Sequence, residues 1–288
     1  MNVGEHFLRH PVAAQRLGED QAHRPPGRRI STAPWPVSAS LVLILAVVGL
    51  SAVRGYGVVV MTRCLGHDRS VYSEVMDMVV ENAQRARWRR YWDRHSTTYD
   101  REMRFLDRVV FRETRSWICQ RASGEVLEVA IGTGLNLEHY PPDVHVTGVE
   151  LSHKMLAIAR RRAHDLGRQA DLRVGDAEAL NFPSVSFNTV VCTFSLCAIP
   201  DHRKALAEMI RVLRPGGLLL LADHVVAPGR ALRAVQRVLE LVTVPMGGEH
   251  FLRRPLEHVR AAGFRIEGHD RFAAGIVERL AARKPVMA

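Results

Sequence analysis

Apolar and polar positions divide the chain into four stretches. Residues 1–34 carry Pro, Gly, Arg and His without a period, including "RPPGRRISTAPWP", a composition that predicts a disordered lead. Residues 35–62 form an apolar segment. No charged residue occurs from Ile30 to Val53, and "VSASLVLILAVVGLSAV" at 37–53 suits a bilayer crossing, which takes about 20 residues. Residues 63–122 read as helical, because Met103, Leu106, Val110 and Trp117 return at helical spacing. From 123 to 288 the pattern alternates. Strands are predicted at 125–130, 144–149, 170–174, 188–193 and 217–223, with helices at 152–166 and 201–213 and a helix-like segment after the first strand. Pro255 opens a short helix ending at Gly263, and "FRIEGHDRF" with "GIVERLAARK" predicts a closing antiparallel pair. Strand and helix in alternation imply an α/β fold on a parallel sheet.

The apolar segment has two readings that stay open. It is an anchor, or Met61 is the start of the protein and residues 1–60 are an upstream extension. A secretory signal fits poorly because the lead is too long, and a core helix would be hydrophobic all round. Arg24, Arg28 and Arg29 precede the segment while Arg54, Arg63 and Arg69 follow it, so charge gives no orientation. An anchored chain would face the cytoplasm; without the anchor it is expected to be cytoplasmic.

Composition changes the picture little. Apolar residues make up 47% and charged residues 24%, which excludes wholesale disorder. The net charge of +10 would suit nucleic acid or an anionic membrane surface. No basic motif interleaved with aromatics of the RNA-binding kind occurs, so nucleic acid is not expected as a partner. Arg85, Arg87, Arg89 and Arg90 beside Trp88, Tyr91 and Trp92 read either as a solvated helix face or as a lipid-headgroup surface. Cys64, Cys119, Cys192 and Cys197 lack the spacing of a zinc module and read as reduced residues, so no metal is expected.

The chemistry concentrates at the ends of the predicted strands. In "VLEVAIGTGLNLEHY" an apolar run ends in Gly132 and Gly134. A dinucleotide site wants a third glycine, and Leu137 stands there. Glu150 follows the second strand, where a carboxylate can accept both ribose hydroxyl protons of an adenosine cofactor. "VGDAEALNFP" places Asp176 after the third strand, on the same edge, to accept from an adenine amino group. "NTVVCTFSLC" is a fourth buried strand, and in "RVLRPGGLLLLADHV" the turn at Pro215, Gly216 and Gly217 launches a fifth.

In order and spacing these elements resemble the class I S-adenosylmethionine-dependent methyltransferases, in the subgroup with quinone and phospholipid methyltransferases, over about residues 85–284. "YPPDVHVTGVE", "VVCTFSLCAI" and "GGEHFLRRPLEHVRAAGF" look most like the membrane-associated thiol methyltransferases and their bacterial relatives. The resemblance implies a doubly wound, mostly parallel seven-stranded α/β sheet of Rossmann-like form at 123–288, under a helical lid at 63–122. It implies S-adenosyl-L-methionine as cofactor. Glu128, Ala130, Gly132 and Gly134 would wrap its methionyl end, Glu150 would bind the ribose, Leu151 and Met155 would contact the adenine, Asp176 and Ala177 would read its edge, and Thr193 would line the methionyl side. Ala130 departs from the family's usual glycine, and Asn188 from its frequent aspartate. A cofactor without phosphates explains the missing third glycine.

Methyl transfer from an activated sulfonium asks mainly for alignment, plus a base if the acceptor must lose a proton. Asp223 and His224, after the fifth strand, are the candidates for that catalytic role, and Tyr99, Cys197 and His250 for contact with the substrate. The expected acceptor is a small-molecule or lipid-like thiol, quinol or amino lipid. Two other readings stand beside it: a nicotinamide-dependent oxidoreductase, and a catalytically inactive membrane scaffold.

Overall fold

The computed structural model describes residues 69–286, with side chains from residue 83 onward. The expected disordered lead, the apolar segment 37–53 and Met61 lie outside the described residues. Among the described residues, no helix is long and apolar enough to cross a membrane.

Helix α1 (Arg69–Leu106) runs into a π-helical turn (Asp107–Phe111) and the short helix α2 (Thr114–Cys119). The sheet then begins with β1 (Glu125–Val129) and β2 (His145–Glu150), followed by α3 (His153–Asp165), β3 (Ala170–Val174), β4 (Phe187–Thr193), α4 (His202–Val212) and β5 (Leu213–His224). Helices α5 (Arg230–Gly247) and α6 (Pro255–Ala261) precede the closing pair β6 (Arg265–Phe272) and β7 (Val277–Arg283). The seven strands lie in the order β3-β2-β1-β4-β5-β7-β6. All neighbours are parallel except β7, which runs antiparallel to both β5 and β6.

Local sequence explains the joints. Ser152 caps α3 by accepting from Met155 N at 3.2 Å, and Asp201 caps α4 by accepting from Arg203 N and Lys204 N, both at 3.0 Å. β5 starts earlier than the predicted 217–223: Leu213 already pairs with Phe187, and the Pro215–Gly217 turn shifts the register before Leu218 pairs with Thr189. The helix-like segment expected after β1 is a series of turns at 132–139, because Leu137 N bonds back to Gly134 O and His139 N to Asn136 O before Pro141 and Pro142 end it. Helix α5 was not anticipated. Its buried positions include Gln236, Thr243 and Gly247, while Val235, Val238, Leu241, Val242 and Met246 are exposed, so its polarity is inverted relative to an ordinary surface helix.

Two apolar layers cover the sheet. Val126 and Leu220 face Met103, Phe111, Ile118 and Leu156 on one side, while Leu127, Val129 and Leu219 face Leu206, Met209 and Val259 on the other. Central strands buried on both faces read as continuous apolar runs, which is why β1, β4 and β5 were visible in sequence. In the strand order, β1 and β4 are the neighbours at which the order reverses, and ligands of such sheets bind outside the carboxyl ends of the strands at that point.

Candidate functional site

A crevice opens at that carboxyl edge. Its floor comes from the strand ends: Ala130 and Gly132 after β1, Val149, Glu150 and Leu151 at β2, Gly175, Asp176 and Ala177 after β3, and Phe194 and Ser195 after β4. Met155 of α3 and the Ala198–Pro200 turn close the side, and Trp88, Trp92 and Tyr99 of α1 form the outer wall.

The glycine turn is shaped by backbone conformation. Ala130, Gly132 and Gly134 all have left-handed φ, at +55°, +60° and +79°. A Cβ on Gly132 would meet nothing within 4 Å, so that backbone faces open space. Gly134 lies elsewhere: a Cβ there would press Leu137 at 2.7 Å and Ala159 at 3.2 Å, so it serves the approach of α3 instead of lining the crevice. Leu137 itself is fully buried, so a core side chain fills the place where a dinucleotide site carries glycine.

Glu150 is buried, and its oxygens accept one backbone N–H each, from Gly132 at 3.0 Å and Ser152 at 2.8 Å. Burial, opposed by these hydrogen bonds, pushes its carboxyl up. A carboxylate offers about four lone-pair sites, so acceptor capacity remains for a ligand. Asp176 accepts from Glu178 N at 2.8 Å and pairs with Arg85 of α1 at 2.5 Å. Trp88 adds a buried indole N–H without a partner. Among the described residues that line the crevice none is basic, while two are acidic. Arg85, a cation beside this lining, is paired with Asp176. Hydroxyls, an amino group and a cationic sulfonium fit the lining.

Helix α1 is tied to this floor by carboxylates. Asp93 accepts from Ser152 Oγ at 2.6 Å and Lys154 N at 3.2 Å. Asp100 accepts from Thr133 Oγ1 at 2.6 Å and pairs with Arg162 at 2.5 Å. In the arginine and tryptophan run of α1, Arg89 and Arg90 are exposed, Arg87 donates to Pro245 O, and Trp88 is buried. Of its two expected roles, neither includes the wall that Trp88 and Trp92 build. Arg85, Trp88, Trp92, Asp93, Asp100 and Phe194 were missed as site residues, and the aromatic spacing of Trp88, Trp92 and Tyr99 on one helical face was the available signal.

Of the expected cofactor residues, Ala130, Gly132, Glu150, Leu151, Met155, Asp176 and Ala177 line the crevice, as does Tyr99. Others do not. Glu128 lies beneath the turn, accepting from Asn136 and Tyr140, both at 2.8 Å, and Thr193 accepts from the same Asn136 amide at 2.9 Å. This buried group braces the turn from below, and burial pushes the Glu128 carboxyl up to about 7.

The expected catalytic pair also sits behind the wall. Asp223 Oδ1 and His224 Nδ1 are 3.9 Å apart, too far for a hydrogen bond. Asp223 instead accepts from the backbone of Cys197 at 3.0 Å and His224 at 2.7 Å. The His224 ring is enclosed by Phe111, Phe194 and Phe251, with centroids 5.4–5.8 Å away. Burial raises the Asp223 carboxyl and lowers the His224 imidazole. Cys197 is buried with them, and its ligand atom, with those of Asp223 and His224, lies in a group within 4.8 Å. His250 donates its backbone N–H to Cys197 O at 2.8 Å and lines a neighbouring polar groove with His202, Arg253 and Glu240. The strand ends placed these residues near the crevice, but the left-handed turn at Phe194 (φ +52°) sets its ring between them and the opening.

Comparison with known proteins agrees with this geometry. Residues 127–221 match the family described as a methyltransferase domain. A phosphatidylethanolamine N-methyltransferase of Cereibacter sphaeroides is 41% identical over 118 residues, 40% of this chain and 58% of that protein. A demethylmenaquinone methyltransferase of Thermus thermophilus is 36% identical over 45% of this chain and 60% of that protein. A thiol S-methyltransferase of Rattus norvegicus is 34% identical over 48% and 59%. The chain thus spans about three-fifths of the length of these relatives. Among solved structures, a SAM-dependent methyltransferase from Thermotoga maritima superposes with a TM-score of 0.51 at 20% identity, covering 68% of this chain and 99% of that one. The fold is therefore shared with that structure, and residues 127–221 are similar to a methyltransferase domain.

Proposed function

We propose that the chain is an S-adenosylmethionine-dependent methyltransferase that acts on a small apolar or lipid-like acceptor at the cytoplasmic surface of a membrane. The observation that carries this is the crevice itself: a lining of largely apolar side chains with the acids Glu150 and Asp176 on one sheet edge around an open glycine turn. Glu150 would hold the ribose hydroxyls, Leu151, Met155 and Ala177 the adenine, Asp176 its amino edge, and Ala130 and Gly132 the methionyl backbone. The cofactor supplies a methyl group already activated by the positive charge on sulfur. Trp88, Trp92, Tyr99 and Phe194 would exclude water and orient the acceptor, so the chain's own contribution is alignment.

The membrane surface rests on two observations. Segment 37–53 is uncharged, and α5 exposes Val235, Val238, Leu241, Val242 and Met246 beside Arg230 and Arg237. A helix with an apolar face and basic rim suits an anionic lipid surface. Incubation of the full chain with S-adenosylmethionine and a panel of thiols, quinols and amino lipids is expected to release S-adenosylhomocysteine. No release above a Glu150→Ala control would contradict the proposal.

A further inference from the structure

A groove at the carboxyl end of α1 shares no lining residue with the crevice. Arg104 of α1, Arg108 of the π-helical turn and Arg112 just beyond it line the groove at steps of four residues, and Arg115 of α2 and Arg279 of β7 complete its cations. Arg104, Arg108 and Arg112 are exposed, and among the described residues they make no ion pair or side-chain hydrogen bond. Arg279 pairs with Asp270 at 2.9 Å. Three acids stand on the same lining. Asp107 is taken by Arg115 Nε at 3.0 Å, Glu138 lies 3.7 Å from His139, and Glu113 is exposed. Five arginines against three carboxylates leave this lining positive.

Arg115 sets the groove apart from a solvated helix face. Its side chain is only 9% exposed. Nε donates to both Asp107 oxygens, at 3.0 and 3.1 Å, and Nη1 to Asn136 Oδ1 at 3.1 Å, while Nη2 is shut off from solvent without a hydrogen-bond partner among the described residues. A buried donor left unmade is costly and is explained where a ligand brings the acceptor. Guanidinium groups suit phosphate above other anions, because their planar fork matches its oxygens. The neighbouring apolar side chains tell which phosphate. Phe105 and Val109, each next in sequence to a groove arginine, are 50% and 60% exposed. Free phosphate gives such side chains nothing, whereas a lipid headgroup brings acyl chains beside them.

We propose that this groove binds the phosphate of an anionic lipid headgroup, with Arg104, Arg108 and Arg112 drawing the anion in, Arg115 Nη2 donating to it, and Phe105 and Val109 meeting the acyl chains. The site is built from other elements than α5, and it stands whether or not the crevice holds S-adenosylmethionine. Since three of its cations are exposed, binding weakens as salt rises.

Calorimetric titration of the full chain with dihexanoylphosphatidylglycerol, kept below the concentration at which it forms micelles, tests the assignment. Saturable binding is expected, weakened at least tenfold in Arg108→Ala/Arg112→Ala but less than about threefold in Arg161→Ala/Arg260→Ala, which removes the same charge from other exposed positions. Backbone amides over residues 104–116 should exchange more slowly with lipid bound. Inorganic phosphate should bind at least tenfold more weakly than the lipid, and Phe105→Ser/Val109→Ser should lower lipid affinity without changing phosphate affinity. Absent binding, equal losses in the two arginine pairs, or phosphate held as tightly as the lipid would each overturn the assignment. So would a single-stranded oligonucleotide that protects the same amides and binds more tightly than the lipid.

Discussion

Ala130 holds a left-handed backbone conformation at the point where the glycine turn leaves β1, with φ +55°. For an L residue this costs roughly 1–2 kcal/mol, and a glycine would adopt it freely at some loss of unfolded-state restriction. Ala130→Gly is therefore expected to stabilise the protein by about 0.5–1 kcal/mol in urea denaturation; a loss of stability would show that the methyl group is needed for packing. Residues whose position follows from topology were legible here. Glu150 ends a parallel strand, Asp176 and Gly132 stand just past theirs, and the fold delivers such residues to one edge. Asp223 and His224 end β5 and Cys197 follows β4, but none of them lines the opening, because the ring of Phe194 stands there and no local pattern encodes its turn. Arg85 and Trp88 come from another part of the chain, so only tertiary packing brings them to Asp176.

At the scale of elements, helix α1 is an outer wall held by side chains instead of a broad apolar seam. Asp100 bonds Thr133 in the glycine turn and Arg162 in α3. Since the pair is partly exposed, Asp100→Ala should cost only about 0.5–1.5 kcal/mol of global stability. It should nevertheless loosen α1, seen as faster hydrogen exchange over residues 93–103, and weaken cofactor affinity more than stability. Unchanged exchange there would contradict the tether. Helix α5 escaped sequence reading because Gln236 and Thr243 face inward while Val238 and Leu241 face out. Gln236 is buried usefully, accepting from Ala227 N and donating to Val225 O. An environment-sensitive fluorophore at Leu241→Cys, in a Cys64→Ser background, is expected to shift to the blue with phosphatidylglycerol vesicles. The same label at Leu166→Cys, near the other edge of the sheet, should not respond; equal responses would argue against docking through α5.

Over the whole molecule, strand order and layering were the most legible features, since central strands buried on both faces leave apolar runs that resist other readings. Ionisation is where the fold acts on distant groups together. Burial raises Glu128 and Glu249 to about 7, above the ordinary carboxylate value. A raised carboxyl contributes stability fully below its unfolded value and loses it as pH rises through the folded one. The depressed imidazoles of His139, His202, His224 and His250 act in the opposite sense below their ordinary value. A variant-minus-wild-type comparison isolates one group. Between pH 5 and pH 8, the Tm of Glu249→Gln should rise relative to the wild type, because the variant lacks the charge that forms above pH 7. A difference of the other sign would contradict the burial assigned to Glu249.

The most direct measurement is calorimetric titration of the full chain with S-adenosylmethionine, beside Glu150→Ala. Saturable binding at one site per chain is expected, weakened at least tenfold in the variant, in line with about 1.5–3 kcal/mol for hydrogen bonds to a charged group. No heat of binding at millimolar cofactor, or equal affinity with and without the Glu150 carboxylate, would contradict the account of this crevice.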